Sequence, residues 1–500
     1  MQRRRFLHSL ASGVAGGAVV AQSAHAGSNA APSTAARPRW ALGYRSIDQD
    51  FYQAEVPVTG SWPELLNGVF YRNGPAQHDV GSFRYDHWFD GDGLVQRFAV
   101  RNQTLTHRAR AVATAKRSTE QALGRAALPA FGTVPPGGIG VTDADDLNPA
   151  NISVLPHHDR LYALWEAGSA YELDPGTLAT RGPKHFSEDT AGLPFSAHPR
   201  IEPDGNLWNF GYASGAGVIV LWHVDAAGQL KRCVPLKVGA TGMPHDFIVT
   251  RRHIVLLLAP MERIEDAPAD SSFLDLHRWN PDASTRVLVV DKDSLTLRGE
   301  YELPAQWVFH FGNGYEDESG TIHFDAARSA TPEIMTHSFR SVMRGLWHEP
   351  PLPLWTEYRI DPKRRQISEQ SALGNTLAVE FPRVDPRVSC RRHDSVWFLA
   401  GTERSSAPGS LNQLTRYDRR RDQLDSFAYG SDYLVEEHTV ISHPDRSNAG
   451  WLIGTALNLA SGTTELSLFD AYALAKGPIA HARLPYAMPL GFHGAWAAAS

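Results

Sequence analysis

Cysteine is nearly absent from this sequence of 500 residues, which contains only Cys233 and Cys390. Neither belongs to a CxxC pair, so the sequence excludes a structural zinc site built on thiolates and also a disulfide-rich scaffold. A single disulfide between the two cysteines is compatible with the sequence, but no feature of the sequence requires it.

Blocks of basic residues are also absent. The chain has 48 Lys and Arg residues against 54 Asp and Glu residues, which gives a formal net charge of -6. Nucleic acid is therefore not an expected partner.

A dinucleotide-binding fingerprint is missing as well. Residues 215–217 (GAG) begin like one, but Val220 occupies the position of the third glycine and no helical pattern follows.

The longest apolar run near the N-terminus, residues 10–21, is too short to be predicted as a membrane-spanning helix. It follows RRRFL at residues 3–7 and precedes an A-x-A cleavage pattern at 24–26, so we expect residues 1–26 to be a signal peptide. Paired arginines followed by x-Phe-Leu indicate the twin-arginine export route and a periplasmic protein. An ordinary secretory signal with an extra arginine is the alternative. Residues 27–44 are predicted to be a flexible linker.

Short strand-forming runs dominate residues 45–500. Runs rich in β-branched and aromatic residues alternate with turns of Asp, Asn, Gly and Pro. Helical periodicity is limited to residues 116–127 and 331–346. A hairpin unit with an aspartate turn recurs at residues 171–178, 289–297, 358–362 and 468–471. Many short antiparallel strands with a recurring hairpin predict an all-β fold, a β-propeller domain that spans residues 45–500.

Four histidines lie in unusual aromatic, proline or glycine settings: His198 (FSAHP), His245 (MPHDF), His310 (VFHFGN) and His493 (GFHG). They are separated by roughly one blade, one long blade and three blades. Because every blade of a propeller sends its innermost strand to the axis, residues one blade apart can meet there. This spacing predicts a four-imidazole metal site, and such a ligand set suits iron, copper, nickel or zinc rather than magnesium or calcium.

Other histidines carry a simpler interpretation. A lone histidine in an apolar strand is more often a hydrogen-bonded core residue than a ligand, and we assign that role or a surface position to His87, His277, His337 and His443. Ligand imidazoles need an acceptor for their second nitrogen. Candidate acceptors are Glu166 and Glu380, which lie in apolar strands where a carboxylate must be hydrogen-bonded or sit exposed at a strand end. Glu437 is a third candidate, although Glu436 beside it can take the same role.

Seven short motifs, in this order, resemble the carotenoid cleavage oxygenase family, which includes apocarotenoid oxygenases, stilbene-cleaving dioxygenases and retinoid isomerases. The resemblance covers the chain from about residue 45 to its end. The motifs are residues 66–75 (LNGVFYRNGP), 87–93 (HWFDGDG), 197–199 (AHP) with 209–212 (NFGY), 244–247 (PHDF), 309–310 (FH) with 314–317 (GYED), 380–383 (EFPR) and 491–494 (GFHG).

This resemblance implies a seven-bladed propeller with ferrous iron on its axis and a cap of loops and short helices over one face. By motif matching, the resemblance implies that the iron ligands are His198, His245, His310 and His493, supported by Glu166, Glu380 and Glu437. His438 stands where the family usually has proline after the last glutamate. The implied reaction is oxidative cleavage of a carbon–carbon double bond with O2 to two carbonyl products. We interpret the DGDG sequence at 90–93 as a structural turn.

The sequence specifies the substrate class less closely than it specifies the metal site and the reaction. Stilbene-cleaving members carry a Tyr and a Lys that engage the substrate phenol, and the matching positions here are Val134 and Trp165. This apolar replacement favours a carotenoid or apocarotenoid over a stilbene or phenylpropanoid.

The apolar stretches 126–131 and 346–355 can rim a substrate tunnel, touch a membrane peripherally or pack in the core.

Two alternatives of other classes are a non-catalytic periplasmic binding propeller and a zinc hydrolase. A binding scaffold does not require four histidines with their glutamates, and a hydrolytic zinc site usually has a carboxylate ligand. The sequence does not define the oligomeric state.

Overall fold

The structure, a computed structural model, describes residues 37–268, 270–401, 408 and 411–499. The predicted signal peptide and residues 27–36 of the predicted linker lie outside the described residues. The prediction of a linker is corrected at its end, where Arg39–Tyr44 form a 3-10 helix. The reason is aromatic anchoring, since Tyr44 is buried and its ring meets that of Trp88 edge-on at 5.1 Å.

Strands make up most of the described chain, and we number them β1 to β34 in chain order. The strands up to residue 237 are β1 (Phe51–Gln53), β2 (Val58–Gly60), β3 (Gly68–Gln77), β4 (Asp79–Val80), β5 (Phe83–Arg84), β6 (Asp92–Arg101), β7 (Thr104–Ala111), β8 (Ser153–His157), β9 (Arg160–Leu164), β10 (Ala170–Leu173), β11 (Thr180–Lys184), β12 (Arg200–Ile201), β13 (Leu207–Ala213), β14 (Val218–Val224) and β15 (Leu230–Lys237). The strands from 248 to 371 are β16 (Ile248–Val249), β17 (His253–Leu258), β18 (Met261–Arg263), β19 (His277–Trp279), β20 (Thr285–Asp291), β21 (Leu297–Leu303), β22 (Trp307–Glu316), β23 (Ile322–Ser329), β24 (Leu354–Asp361) and β25 (Gln366–Ser371). The last strands are β26 (Ala378–Arg383), β27 (Ser395–Gly401), β28 (Gln413–Asp418), β29 (Gln423–Ala428), β30 (Tyr433–Ser442), β31 (Gly450–Asn458), β32 (Thr463–Asp470), β33 (Pro478–Arg483) and β34 (His493–Ala498).

These strands assemble into seven antiparallel blades, so the predicted seven-bladed β-propeller is confirmed. Five blades are separate sheets, and an eight-stranded sheet divides into two more that touch through the Leu354–Ala378 pair. From the inner to the outer strand, the blades are blade 1 (β34, β3, β6, β7, β1), blade 2 (β8, β9, β10, β11), blade 3 (β12, β13, β14, β15), blade 4 (β16, β17, β20, β21), blade 5 (β22, β23, β24, β25), blade 6 (β26, β27, β28, β29) and blade 7 (β30, β31, β32, β33, β2).

The position of a strand within its blade explains its composition. Every residue of β13 is buried, because the middle strands are covered by neighbouring blades on both faces and therefore read as continuous apolar runs. In the outer strand β25, half-buried and exposed residues alternate because one face meets solvent. Inner strands of adjacent blades contact one another, for example β34 with both β8 and β30.

The recurring hairpin found in the sequence is the turn from the third strand of a blade, counted from the axis, to the fourth. It occupies this place in blades 2, 4, 5 and 7. In all four of these turns an aspartate side chain accepts a hydrogen bond from a backbone N–H group two or three residues ahead. The acceptors are Asp174 (from Thr177, 2.8 Å), Asp291 (from Ser294, 2.8 Å), Asp361 (from Arg364, 3.0 Å) and Asp470 (from Tyr472, 2.9 Å).

Both ends of the described chain close the ring. The C-terminal strand β34 pairs with β3 in blade 1, with Phe70 opposite Trp496. The N-terminal strand β2 pairs with β33 in blade 7, with Thr59 opposite His481. The C-terminal segment is therefore an inner strand of the propeller, which explains why its sequence is apolar and glycine-rich.

A cap covers one face of the propeller and is formed by three insertions, residues 113–150, 259–284 and 330–353. Hydrogen bonds join them, since the backbone N–H of Leu274 donates to Phe131 O at 2.9 Å. Arg340 Nη2 also donates to Gly132 O at 2.9 Å. The cap contains the hairpin β18–β19, and a second short hairpin, β4–β5, belongs to the connection within blade 1.

The helices are short. Both predicted helical regions are confirmed, by α1 (Ala115–Leu123) and by a continuous segment with a π turn (Ile334–Ser338), α2 (Phe339–Ser341) and a 3-10 turn (Val342–Arg344). The remaining 3-10 turns are Trp88–Asp90, Ala144–Leu147, Glu188–Thr190, Ser214–Ala216, Pro386–Val388 and Leu474–Lys476. None of the helices in the described residues has the length and apolarity needed to cross a bilayer.

The two cysteines are buried in different places, Cys233 on β15 and Cys390 after the 3-10 turn that follows β26. In the described chain they are not joined by a disulfide. The fold is therefore stabilised by packing between blades rather than by a covalent link.

Candidate metal centre

The structure brings the four predicted histidines together on the propeller axis. His198 and His245 lie just before the inner strands β12 and β16, His310 lies within β22, and His493 begins β34. Successive steps along the chain cross one, one and three blades, which is the spacing predicted from the sequence.

Irregular strand pairing helps to aim side chains at the axis. The register with the neighbouring strand shifts at residues 308–311 in β22, at 380–383 in β26 and at 435–438 in β30. Extra residues in a strand bend it and re-aim its side chains, which is why bulges are frequent beside functional sites. Phe381, inside the second of these bulges, has a φ of 55°.

The Nε2 atoms of the histidines point at a common centre. His198 Nε2 lies 2.9 Å from His245 Nε2, and His310 Nε2 lies 3.2 Å from His493 Nε2. One nitrogen from each of the four rings can be chosen so that all lie within 4.8 Å of one another. Nitrogens bound about 2 Å from one ion are roughly 3 Å apart at neighbouring positions. The spacing therefore fits a single metal ion.

The three predicted glutamates each interact with the other nitrogen, Nδ1, of one histidine. The pairs are His245 with Glu166, His310 with Glu380 (2.6 Å) and His493 with Glu437 (3.1 Å). A proton on Nδ1 leaves a lone pair on Nε2, and lone pairs that face one another are stabilised by a cation between them. Among the described residues, no carboxylate lies within ion-pair distance of His198.

The electrostatics favour the neutral imidazole at His198 and His493, and the protonated form at His310. Burial lowers the pKa of His198, and the neighbouring imidazoles lower it further. Burial also lowers the pKa of His493 to about 4, although Glu437 opposes the shift. For His310 burial acts in the same direction, but the Glu380 carboxylate outweighs it and the pKa is raised. Neutral imidazoles are the form that binds metal.

A small pocket adjoins His245 on the capped face, and the space in it that a water molecule can occupy is only ≈ 10 Å³. Its wall is almost entirely aromatic or thioether, with Glu166 and His245 as its polar boundary. The other lining residues are Phe89, Phe131, Tyr212, Met243, Trp307, Phe309 and Met335. The wall offers apolar contact beside His245 and keeps water away from it.

The sequence model of the family described as RPE65, retinal pigment epithelial membrane protein, matches residues 44–498. The chain belongs to the RPE65/carotenoid cleavage oxygenase family. It is 28% identical over 481 residues to apocarotenoid-15,15'-oxygenase of Synechocystis sp., which covers 92% of this chain and 96% of that protein. It is 27% identical over 477 residues to lignostilbene-alpha,beta-dioxygenase isozyme III of Sphingomonas paucimobilis, with 89% and 94% covered. Isoeugenol monooxygenase of Pseudomonas putida is 26% identical over 470 residues, with 88% and 94% covered.

Solved structures give the same result. The crystal structure of cobalt-substituted Synechocystis apocarotenoid oxygenase superposes with a TM-score of 0.84 at 25% identity, over 92% of this chain and 98% of that one. A chimera of that oxygenase with RPE65 superposes with a TM-score of 0.85 at 26% identity and the same coverage. The carotenoid cleavage oxygenase fold thus extends over nearly all of both chains.

The structure also resolves the choice between the two adjacent glutamates in this member of the family. Glu437 contacts His493, whereas Glu436 forms a buried bidentate ion pair with Arg72 and accepts a hydrogen bond from Gly491 N–H at 2.6 Å. Sequence reasoning assigned no role to Arg383, although it stands in the EFPR motif. Its guanidinium donates two hydrogen bonds to Glu437, each 2.8 Å long.

The two glycines around His493 allow another part of the backbone to approach closely. A Cβ atom on Gly491 would lie 2.6 Å from Asn73 O, and one on Gly494 would lie 2.6 Å from the Phe70 ring. Both distances are too short for a side chain. The glycines therefore let the last strand lie tightly against β3 and place His493 at the axis.

Other predicted residues have structural positions. His87 is buried and its Nε2 lies 2.9 Å from Met335 O, as expected for a core histidine. In the DGDG turn, Asp90 accepts a hydrogen bond from Gly132 N–H at 2.8 Å and Asp92 lies 3.1 Å from Lys116 Nζ, so the turn anchors the cap. Among the described residues, neither Val134 nor Trp165 lines the cavity.

Proposed function

We propose that this protein is an iron(II)-dependent dioxygenase that cleaves a carbon–carbon double bond of a carotenoid or apocarotenoid. The observation that carries the proposal is the convergence of four imidazole Nε2 atoms, three of them on rings whose Nδ1 contacts a buried or half-buried carboxylate. Iron would be held by His198, His245, His310 and His493. All-imidazole ligation suits iron, and a set of four leaves positions for other ligands.

When bound, the iron supplies the position at which O2 is activated. The overall reaction is balanced by O2 alone, because the double bond breaks and each of its carbons receives one oxygen atom as a carbonyl. No external reductant and no acid–base residue is therefore required. The glutamates orient the imidazoles, as acceptors of their Nδ1 protons.

The capped cavity supplies the second requirement, which is orientation of the alkene. Phe309 lies with its ring centroid 5.0 Å from that of His245, and Phe381 lies 5.2 Å from His310. These aromatic faces offer apolar contact next to the metal ligands and keep water away from the reacting carbons.

A second substrate class, stilbenes or phenylpropanoids, is supported by two of the relatives. They are named a lignostilbene dioxygenase and an isoeugenol monooxygenase. The carotenoid class is preferred because apocarotenoid-15,15'-oxygenase has the higher identity and a solved structure of that oxygenase superposes over nearly the whole chain. Neither Val134 nor Trp165 is among the residues that line the small pocket, so the pocket itself does not decide between the two classes.

The test is an oxygen-isotope experiment with the iron-loaded protein. Under 18O2, an apocarotenal, a hydroxystilbene and isoeugenol are supplied separately, and the carbonyl products are analysed by mass spectrometry. The proposal predicts cleavage of the apocarotenal with 18O in the newly formed carbonyl groups. Cleavage of only the phenolic alkenes would select the second class. Absence of cleavage in all three, with iron bound, would contradict the proposed activity.

We further propose that the protein is exported to the periplasm by the twin-arginine route. The support is the sequence RRRFL at residues 3–7 with the A-x-A pattern at 24–26. Replacing Arg3 and Arg4 together by Lys should retain the protein in the cytoplasm, and the matched change Arg5→Lys should not. Export of the double variant at the normal level would contradict this route.

Peripheral membrane contact is a third proposal, motivated by the apolar stretch 346–355. Leu346 in this stretch is 63% exposed, which is unusual for a large apolar side chain. Flotation with phosphatidylcholine vesicles should recover the wild-type protein and less of Leu346→Ser. Failure of the wild-type protein to float would remove the proposal.

A further inference from the structure

The cavity beside the histidines contains one polar group that the proposed chemistry does not use. Tyr212, on β13, contributes to the cavity wall together with His245 and Glu166. Its side chain is only 7% exposed. Its hydroxyl makes no hydrogen bond with any residue in the described part of the chain.

Three other buried tyrosines show how such hydroxyls can be satisfied in this fold. Tyr85 donates to Glu120 at 2.6 Å, Tyr358 donates to Gln306 at 2.9 Å and Tyr71 donates to Pro175 O at 2.8 Å. A buried hydroxyl without an acceptor is unfavourable, and buried polar groups are nearly always paired. The Tyr212 hydroxyl thus differs from these three in facing a cavity with no protein partner.

Trp307 adds a second donor to the same wall. It is 2% exposed, and its Nε1–H has no hydrogen-bond partner among the described residues. Several other buried indoles, such as those of Trp62 and Trp355, are also unpaired. An unpaired indole N–H is therefore not distinctive in this fold. Trp307 only adds a second hydrogen-bond donor to the pocket wall that contains Tyr212.

We propose that Tyr212 is a specificity-determining residue whose hydroxyl donates a hydrogen bond to an oxygen atom of the alkene substrate. The substrate class is then an oxygenated alkene, with a carbonyl, hydroxyl or methoxy oxygen close to the cleaved double bond. This proposal rests on the proposed dioxygenase function. It is supported by the position of Tyr212, which lines the same pocket as His245 and Glu166, so a substrate oxygen that reaches the Tyr212 hydroxyl lies beside a predicted metal ligand.

Two sources of this oxygen share the same chemistry, namely the carbonyl of an apocarotenal and the ring oxygens of a phenylpropene. The experiment compares each with a partner that lacks the oxygen. The pairs are an apocarotenal with the hydrocarbon polyene of equal chain length, and isoeugenol with β-methylstyrene. Iron-loaded wild-type protein, Tyr212→Phe and Tyr417→Phe are measured with all four. Tyr417 is a matched control because its hydroxyl donates to Asp422, at 2.9 Å, in the outer part of blade 6.

Binding is measured by quenching of tryptophan fluorescence, which does not require turnover, and kcat/KM is measured by O2 uptake. Tyr212→Phe should weaken binding and lower kcat/KM of the oxygenated member of one pair by roughly 3- to 10-fold, the range of one neutral hydrogen bond. The hydrocarbon member and the Tyr417→Phe protein should be unaffected. The pair that responds identifies the source of the oxygen.

Three results would overturn the assignment. They are equal losses for both members of each pair, unchanged binding of both oxygenated alkenes, and no binding of any of the four alkenes to the wild-type protein. Failure of the proposed dioxygenase function gives a different pattern, in which the oxygenated alkene binds through Tyr212 but no O2 is consumed.

Discussion

Glu437 and His493 lie on the neighbouring inner strands β30 and β34, and the Glu437 carboxylate contacts His493 Nδ1 at 3.1 Å. The same carboxylate accepts a hydrogen bond from Gly494 N–H at 2.8 Å and two from Arg383. Burial opposes its ionisation, but the Arg383 guanidinium and His493 hold the pKa of Glu437 well below its usual range. The carboxylate is therefore a fixed anion that keeps the His493 proton on Nδ1 and Nε2 free for a metal.

The first prediction concerns this pair. Glu437→Gln should keep the fold but lower iron affinity by about 10- to 100-fold, because the amide is a weaker acceptor and no longer carries a charge. Iron retained after competition with a chelator measures the effect. Glu465→Gln is a matched control, since Glu465 also pairs with a histidine, His481, at 3.0 Å but in the outer part of blade 7. Equal iron retention in the two variants would contradict the role of Glu437.

Glu436 should behave differently from its neighbour. Its carboxylate pairs with Arg72, and both side chains are almost fully buried. Glu436→Gln leaves the Arg72 charge without its counter-ion, so we expect a loss of unfolding free energy on the order of 3–5 kcal/mol in chemical denaturation. The folded fraction should still bind iron. A variant with normal stability that binds no iron would reverse the roles of the two glutamates.

Asp90 predicts a pH dependence of stability. Burial raises the pKa of Asp90 to about 7, above its ordinary value of 3.8, despite hydrogen bonds from Thr133 and Gly132. Between these two values the folded state binds more protons than the unfolded state, so the contribution of this group to stability falls as pH rises from about 4 to 7 and is level above. Unfolding free energies at pH 5 and 7.5 should differ less in Asp90→Asn than in the wild-type protein. An identical difference in both would contradict a buried, protonated Asp90.

The convergence of the four histidines could be predicted from the sequence for a physical reason. A propeller repeats its inner strand once per blade, so His198, His245 and His310 are spaced at blade intervals. His493 follows the same rule only because the ring closes through the C-terminal strand, with β34 paired to β3. The Asp-turn hairpins, such as that at Asp174, marked the outer edges of the blades.

What could not be predicted depends on local irregularity and on long-range packing. Glu436 and Glu437 are consecutive, and only the shift of strand register at 435–438 determines which of them reaches the axis. The cavity wall joins segments far apart in the chain, among them Phe131, Tyr212 and Met335, and no pattern in the sequence brings them together.

The end of the predicted linker is a third case. Residues 39–44 (RWALGY) are mostly apolar and include two aromatic side chains. Those side chains anchor the segment to the core. The rings of Trp40 and Tyr44 meet edge-on with their centroids 5.9 Å apart, and the Tyr44 ring also contacts the buried Trp88 ring. Tertiary packing thus overrides a weak local preference.

The most direct test of the central claim is the iron content of the purified protein after anaerobic reconstitution, compared among wild type, the four single His→Ala variants and His337→Ala. His337 is exposed in the cap and serves as the control. We predict about one iron per chain in the wild-type protein and in His337→Ala, and loss of iron in His198→Ala, His245→Ala, His310→Ala and His493→Ala. Full iron occupancy in any one of these four folded variants would contradict a four-histidine iron centre.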